Sequence, residues 1–499
     1  MARGADPRWI ISRLFNSGLI RPGTLLALAR AWRASGANLV ALARFGASTA
    51  QPPPMLIDEQ GSVSLAGLAE EAERLAAILW HAHQVAPGEP IGILGENSVA
   101  LVRALLAASR LGARAILLNP HLPAAQLAQL LDRHGIRVIL AAHYTGGLAE
   151  FGRTVCDPDA LRTSHSGPQP PLPRMRAGEI VVLTGGTTGL PKAARRKAGA
   201  TSVLRLFLHL IAALQLERRR SVFVAVPLFH GFGLAALIMA LALGRTAYLR
   251  RRFDAPAVAA LIESEAIDTV AVVPTMLQRL LPHLGQRRTL RCIVSGGAPL
   301  APQLAGQVRA QYGDVLFNLY GTSEAGLSLL ATPGDLAIAP GTIGRPVWGA
   351  AVAIRDAADG IGALFIRNRA SVSPGEWLGS GDLASRDSAG RLFLHGRVDD
   401  MILSGGENVS PWEVESILLT HPDIADVAAV GVPDPDYGQR LAVAVVAREG
   451  CRVEAAGLQD WLRPRIARHQ VPRHIAVMPA LPLTAIGKVD RKALGAQFS

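Results

Sequence analysis

Lysine is the scarcest charged residue of this 499-residue chain. Only Lys192, Lys197, Lys488 and Lys492 occur, although Lys and Arg together number 51. Arginine therefore supplies nearly all of the positive charge behind the formal net charge of +12. In such a chain each lysine raises the question of whether a compact, point-like ammonium is needed there. Cysteine is rarer still. Cys156, Cys292 and Cys451 lie far apart with no Cys-x-x-Cys, which excludes a disulfide scaffold or a thiolate metal cluster and predicts three reduced thiols in a cytosolic protein. Aromatic residues make up 5%, and the arginines form no long basic tract interleaved with them. With no zinc-finger spacing or RNA-binding aromatic motif, nucleic acid is not expected as a partner. Charged residues are only 18% against 49% hydrophobic, which excludes a disordered chain. A signal-peptide apolar block is also missing from the start, so a cytoplasmic location is expected.

What is present is ample material for a buried core, about three folding units at ~100–200 residues each. Residues 1–50 read as a helical leader in which Trp, Leu and Phe alternate with Arg, as at Trp32-Arg33. That pattern fits a helix docked on its own domain, or one in peripheral contact with a membrane surface. Residues 221–244 carry no charge and are long enough to cross a bilayer. They also contain Pro227, His230, Gly231 and Gly233, so a strand, a turn and a buried helix are expected.

From residue 63 the chain alternates helix and strand patterns. A helix is predicted over 65–80, a strand over 90–94, a helix capped by Asn97 and ended by Gly112, then strands at 115–118 and 138–141. The alternation resumes near 270–273 and 293–294. Apolar strands alternating with helices predict a parallel sheet covered on both faces. Near Gly341 the texture changes to short strands and turns at 351–354, 364–366 and 392–394, which fits a small antiparallel or barrel-like subdomain. A final α+β unit follows from about residue 398. In it Ser410-Pro-Trp-Glu413 reads as a capping box opening a helix, before strands at 427–430 and 441–446. The expected fold class is α/β: a large N-terminal domain of helix-covered sheets over 51–397, with a small β-barrel-like subdomain, plus a mobile α+β C-terminal domain over 398–499.

The densest chemical signal is the strand 180–183 running into Thr184-Gly-Gly-Thr-Thr-Gly-Leu-Pro-Lys192. Gly185, Gly186 and Gly189 let backbone approach a ligand closely, while Thr184, Thr187 and Thr188 offer hydroxyl donors. Successive backbone N–H groups there can form an anion-binding concavity, with Lys192 adding charge. This is phosphate chemistry. It is not the common NTPase loop, because Leu190 replaces the required second glycine and Ala193 follows the lysine. The competing reading is a Gly/Thr-rich hairpin turn.

Thr184–Lys192 resembles the signature loop of the adenylate-forming (AMP-binding) superfamily, and further motifs follow in that family's order. Pro227-Leu-Phe-His-Gly-Phe-Gly233 resembles the segment whose histidine, here His230, lies beside the acyl pocket. Ser295-Gly-Gly-Ala-Pro-Leu300 and Asn318-Leu-Tyr-Gly-Thr-Ser-Glu324 resemble the adenine- and magnesium-binding segments. Ser380-Gly-Asp382 resembles the ribose motif, Gly396-Arg-Val-Asp-Asp400 the interdomain hinge, and Leu483-Thr-Ala-Ile-Gly-Lys488 the catalytic-lysine loop. The resemblance covers about residues 56–494 and is nearest to bacterial fatty-acid–CoA ligases.

By that resemblance ATP, Mg²⁺ and coenzyme A are the expected cofactor and co-substrates. The phosphate loop holds β- and γ-phosphates, Glu324 binds Mg²⁺, and Ser323 donates to the α-phosphate. Tyr320 faces adenine, with Gly296, Gly297 and Ala298 opposite and Asn318, Gly321 and Thr322 alongside. Asp382 accepts from the ribose hydroxyls, Arg397 donates to the same sugar, and Lys488 meets the carboxylate and α-phosphate as charge builds. Asp399 matches the hinge, and Ser404, Gly405 and Gly406 match the loop lining the thiol tunnel. Singly, each residue has a plainer reading: Glu324 as a helix-capping acid, Asp382 as a turn former, His230 as a core histidine, Lys488 as a surface turn lysine.

The implied activity is ATP-dependent conversion of a hydrophobic, fatty-type carboxylic acid to acyl-AMP, then thioester formation with CoA. Two alternatives stay open, a stand-alone ligase loading an acyl carrier protein and a non-catalytic nucleotide- or acyl-binding paralogue. The chain departs from the family pattern at Gly185, where serine is usual, at Ala193 for glycine, and at Ala363 for glutamate. It is also shorter than usual between Arg367 and Gly381.

Overall fold

The computed structural model describes residues 8, 10, 12, 15, 21–49, 52–143, 152–164, 167, 170–184, 192–194, 200–285, 289–404, 407–483 and 489–498, without the side chains at 162–164, 184, 192–194, 200, 201, 403, 407 and 408. The chain divides into two compact units. One takes in residues 1–297 with 347–349 and 369–374, the other 298–346, 350–368 and 375–499. Residues up to 397, expected with the large domain, thus cluster by contact with the C-terminal residues.

The first unit holds two sets of parallel strands. One runs in the order Cys292–Gly296, Thr269–Val272, Ser221–Val224, Thr246–Tyr248, Met55–Asp58, with Gly61–Ser64 antiparallel at its edge. The other runs Thr154–Cys156, Val138–Ala142, Pro90–Gly95, Arg114–Leu118, Ile180–Thr184, ending in the antiparallel Lys192–Ala194. Their inner strands are buried on both faces, as parallel sheets under helices require. Helix Leu65–His81 forms because Ser64 accepts from the Gly67 N–H at its start and Leu65, Leu68, Ala72, Leu75 and Leu79 fall on one buried stripe. The apolar run 221–244 is indeed a strand, a turn and the helix Gly231–Leu243.

One expectation fails here. The helix Val99–Leu111 is capped by Ser98, not Asn97, and Gly112 ends it at φ +71°. Asn97 is buried and committed elsewhere: its amide donates to Val226 O at 3.1 Å and its carbonyl accepts from Leu228 N at 2.8 Å. A neighbour with a free hydroxyl takes the cap when the asparagine has long-range work.

The second unit begins with antiparallel strands in the order Ala350–Ala358, Ile361–Asn368, Trp377–Arg386, Leu392–Arg397, Thr342–Pro346, Gly326–Ala331, Leu316–Thr322. Leu329, Ile343, Leu364, Ile366, Ala384 and Leu392 form its core. The remainder is a sheet in which Gly438–Ala447 pairs with Ile424–Asp434 and, in parallel, with His474–Met478, under helices Pro411–Leu418 and Ala455–Leu462. Ser410 precedes the first of these helices as expected, but the capping box does not form. Its hydroxyl donates instead to His395 O at 2.9 Å, and Glu413 accepts from Gln470 at 2.6 Å. Tertiary partners outbid the local bonds.

Candidate active site

In the first unit the candidate residues sit where parallel strands release the chain. Strand Ser221–Val224 leads into Pro227 and His230, and strand Cys292–Gly296 leads into Gly297, at φ +83°. Both strands run parallel to Thr269–Val272, which lies between them, so both exits share the carboxyl edge of the sheet, the usual position of ligands in α/β folds. His230 caps helix Gly231–Leu243, with its ring 4.6 Å from that of Phe229. Ile180–Thr184 opens likewise at a carboxyl end, and its pairing partner across the hairpin base is Lys192–Ala194, with Thr184 opposite Lys192. Gly185, Gly186, Thr187, Thr188 and Gly189 lie outside the described residues.

The second unit gathers three of the expected residues from far apart in sequence. The Tyr320 hydroxyl donates to one oxygen of Asp382, and Arg397 lies 3.4 Å from the other. Arg397 also reaches Asp399 at 3.4 Å. The register explains the meeting: Asp382 and Arg397 are direct cross-strand partners, and the bond Val398 N to Gly381 O, 2.8 Å, closes the pair of strands. Gly381 has φ +77°, so strand Trp377–Arg386 needs glycine at this point, and a Cβ there would also push on the tip of the Arg397 side chain 2.7 Å away. On the other side a bulge falls between Tyr320 and Gly321, where a Cβ would strike Gly326 O at 2.3 Å.

Electrostatics follow from this packing. Burial, with the Asp382 charge beside it, pushes the Tyr320 phenol well above its ordinary range, so it stays a donor. Ser380 completes the group, its hydroxyl accepting from Asp382 N at 3.0 Å and bonding the Tyr320 side chain. The sequence signal for Ser380 is the Ser-Gly-Asp spacing itself. Asp382 is 14% exposed, Arg397 48% and Asp399 78%, a gradient from protein to solvent along one chain of charges.

The remaining candidates are dispersed. Asn318 is buried and donates to Thr342 O at 3.2 Å, bracing the strand that carries Tyr320. Thr322 accepts from Ala325 N at 3.0 Å, shaping the turn on which Ser323 and Glu324 stand exposed. Ser404 is buried in strand Ile402–Ser404, whereas Gly405, Gly406 and Lys488 lie outside the described residues. The flanks of the lysine loop are described: Leu483 bridges Val489, and Asp490 N donates to Pro482 O at 2.8 Å.

For magnesium, the residues present fit. Glu324 is an exposed carboxylate that makes no ion pair among the described residues, and these contain no cluster of three or more His, Cys, Asp or Glu. Magnesium keeps much of its shell as water and phosphate oxygen and takes one or two carboxylates, which is the donor set such a site offers.

The AMP-binding enzyme family matches residues 44–375, and the AMP-binding enzyme C-terminal domain matches 413–488. The chain belongs to the AMP-binding enzymes. Within them it is an adenylate-forming acid–thiol ligase. It is 30% identical to the indoleacetate–CoA ligase of Aromatoleum aromaticum, over 86% of this chain and 92% of that one. It is 27% identical to the long-chain-fatty-acid–CoA ligase FadD13 of Mycobacterium tuberculosis, over 86% and 92%. Among solved structures, the O-succinylbenzoate coenzyme A synthetase of Bacillus subtilis, in complex with ATP and magnesium ion, superposes with a TM-score of 0.78 at 28% identity, over 91% of this chain and 98% of that one.

Proposed function

We propose that this ligase activates a hydrophobic carboxylic acid, of fatty type, with Mg-ATP and transfers the acyl group to coenzyme A. In the first half-reaction a carboxylate oxygen attacks the α-phosphorus of ATP. The new P–O bond replaces the α–β bridge, and pyrophosphate leaves. In the second, the thiol sulfur attacks the acyl carbon, its proton passes to solvent or a base, and AMP leaves.

The observation that carries the nucleotide half is the Tyr320–Asp382–Arg397 cluster. Asp382 accepts from Tyr320 and lies 3.4 Å from Arg397, and an ionised carboxylate, acceptor-only, is the group that two ribose hydroxyls donate to. Arg397, half exposed, donates to the same sugar. Tyr320 offers its ring to adenine from the strand braced by Asn318, with Gly321 and Thr322 shaping the turn beyond it. Gly296, Gly297 and Ala298 line the other side of the base. Thr184 to Lys192 cradle the β- and γ-phosphates, and Ser323 donates to the α-phosphate. Glu324 holds magnesium, which when bound supplies charge neutralisation at the phosphate oxygens. Lys488 stabilises the charge that builds between carboxylate and α-phosphate. His230 borders the acid, and Asp399 serves as hinge between domains 51–397 and 398–499, bringing Ser404, Gly405 and Gly406 to the thiol.

Support for a hydrophobic acid comes from the uncharged helix after His230. The test offers purified protein Mg-ATP and a panel of fatty and aryl acids, with CoA or a holo-carrier protein, and follows pyrophosphate and product mass. Pyrophosphate release with a fatty acid and an acyl-CoA product are expected. Products only with aryl acids, or only on the carrier, would overturn the substrate reading, and silence throughout would overturn the activity. Lys488→Ala should lower adenylate formation ~100–1,000-fold yet still turn preformed adenylate into thioester. Loss of both steps in a folded variant would remove Lys488 from its role.

A further inference from the structure

Helix Pro22–Ser35 is docked on one side only. Ala31 and Ser35 are buried, and the helix lies against the next one, Leu39–Thr49. At about 100° per residue, Leu25, Leu26, Ala29 and Trp32 fall together on the opposite side. There Leu25 is 60% exposed, Leu26 52% and Trp32 51%, and upstream Phe15 is 67% exposed. These four belong to the small set of large apolar side chains that the described residues leave in solvent.

Charge says what covers this face. Arg21, Arg30 and Arg33 are exposed: Arg21 and Arg30 flank the apolar stripe, one on each side, and Arg33 falls within its arc at the C-terminal end. Residues 7–57 contain six arginines and no acidic residue. A second protein copy would have to bring this arginine-rich face against its own like charge, which opposes self-pairing. An anionic lipid surface meets both requirements at once: the apolar stripe enters the acyl boundary while the guanidinium groups stay among headgroup phosphates. No helix among the described residues is long and apolar enough to cross a membrane, so the mode is surface attachment.

We propose that the exposed face of helix Pro22–Ser35 docks the enzyme on an anionic bilayer surface through Leu25, Leu26 and Trp32, with Arg21 and Arg30 at its margins and Arg33 at its C-terminal end. The inference does not depend on the acid or thiol the enzyme uses.

The test is co-sedimentation of the full chain with phosphatidylcholine vesicles, with and without phosphatidylglycerol. Binding to the phosphatidylglycerol vesicles alone is expected, weakening as salt is raised. Each of Arg21→Gln, Arg30→Gln and Arg33→Gln should lower the partition about fivefold. The triple variant Leu25→Ser/Leu26→Ser/Trp32→Ser should abolish it, with pyrophosphate release from a dissolved acid unchanged. Equal binding to both vesicle types, or binding indifferent to the arginine set, overturns the proposal. So does a lipid-free dimer that the triple variant dissociates, which would give the face to a second copy. Should the triple variant fail to fold, the arginine variants alone decide.

Discussion

Arg397 and Arg491 each meet two carboxylates in the second unit, at very different spacings. Arg491 grips Glu415 with two bonds, 2.8 and 3.2 Å, donates to Ala429 O as well, and has Asp400 at 3.8 Å. Glu415 is buried and also accepts from Ala429 N at 2.6 Å. Burial lifts the Glu415 carboxyl above its ordinary range, with Arg491 and the Ala429 N–H pulling against that rise, and its charge in turn raises the Arg491 guanidinium. Arg397 stands 3.4 Å from Asp382 and again from Asp399, half in solvent. The same pair of residue types is therefore close and buried in one place, longer and half exposed in the other. Close buried bonds make scaffold, and the looser pair is the one proposed above to meet a ligand.

Breaking the tight pair should cost the most. Arg491→Ala leaves Glu415 buried with its charge unmatched, and about 3–4 kcal/mol of stability should be lost, the low end for a buried pair because Arg491 is partly exposed. Urea titration reads the loss, while pyrophosphate release per folded molecule at low temperature should hold. A variant that keeps its stability but loses turnover would make Arg491 part of the site after all.

A scaffold histidine offers a pH version of the same contrast. The neutral Nδ1 of His209 accepts from Trp348 N at 3.0 Å, and burial lowers its pKa to about 4. The fold thus favours the neutral ring. Its contribution is complete above about 6.5 and is lost as pH falls toward 4, roughly 3 kcal/mol in all. Thermal melts across that interval should show a steeper fall in wild type than in His209→Gln. Parallel slopes would remove His209 from the account.

The loose pair should show the reverse pattern. Asp382→Ala should lower kcat/KM for ATP ~10–100-fold, the worth of one or two hydrogen bonds to a charged group, with almost no change in urea midpoint. A large stability loss instead would make Asp382 scaffold and dissolve the contrast.

Much of the fold was legible because burial is periodic. Helix Leu65–His81, the strands at Pro90–Gly95, Arg114–Leu118, Val138–Ala142, Ile180–Thr184, Thr269–Val272 and Cys292–Gly296, and the change to short strands after Gly341 all follow from spacing and turn residues, whereas the short strands Met55–Asp58, Thr154–Cys156 and Thr246–Tyr248 carry no such signal. The failures are polar. Asn97 and Ser410 both read as helix caps, yet each bonds to a segment distant in sequence, which no local pattern encodes. The site shows the same limit. Glycines and threonines before Lys192 spell phosphate chemistry locally. The meeting of Tyr320 with Asp382, 62 residues on, depends on a sheet order that spacing does not give and was reached through family resemblance. Ser380 shows that even a quoted motif can hide which of its atoms matter.

Strand Leu392–Arg397 places a guanidinium at its very end, immediately before Val398 and Asp399. The Val398 N–H is bonded to Gly381 O, so the backbone that leaves this strand is tied to the residue beside Asp382. If Asp399 is the hinge proposed above, that bond is the fulcrum shared by the swing and by the proposed contact with the sugar.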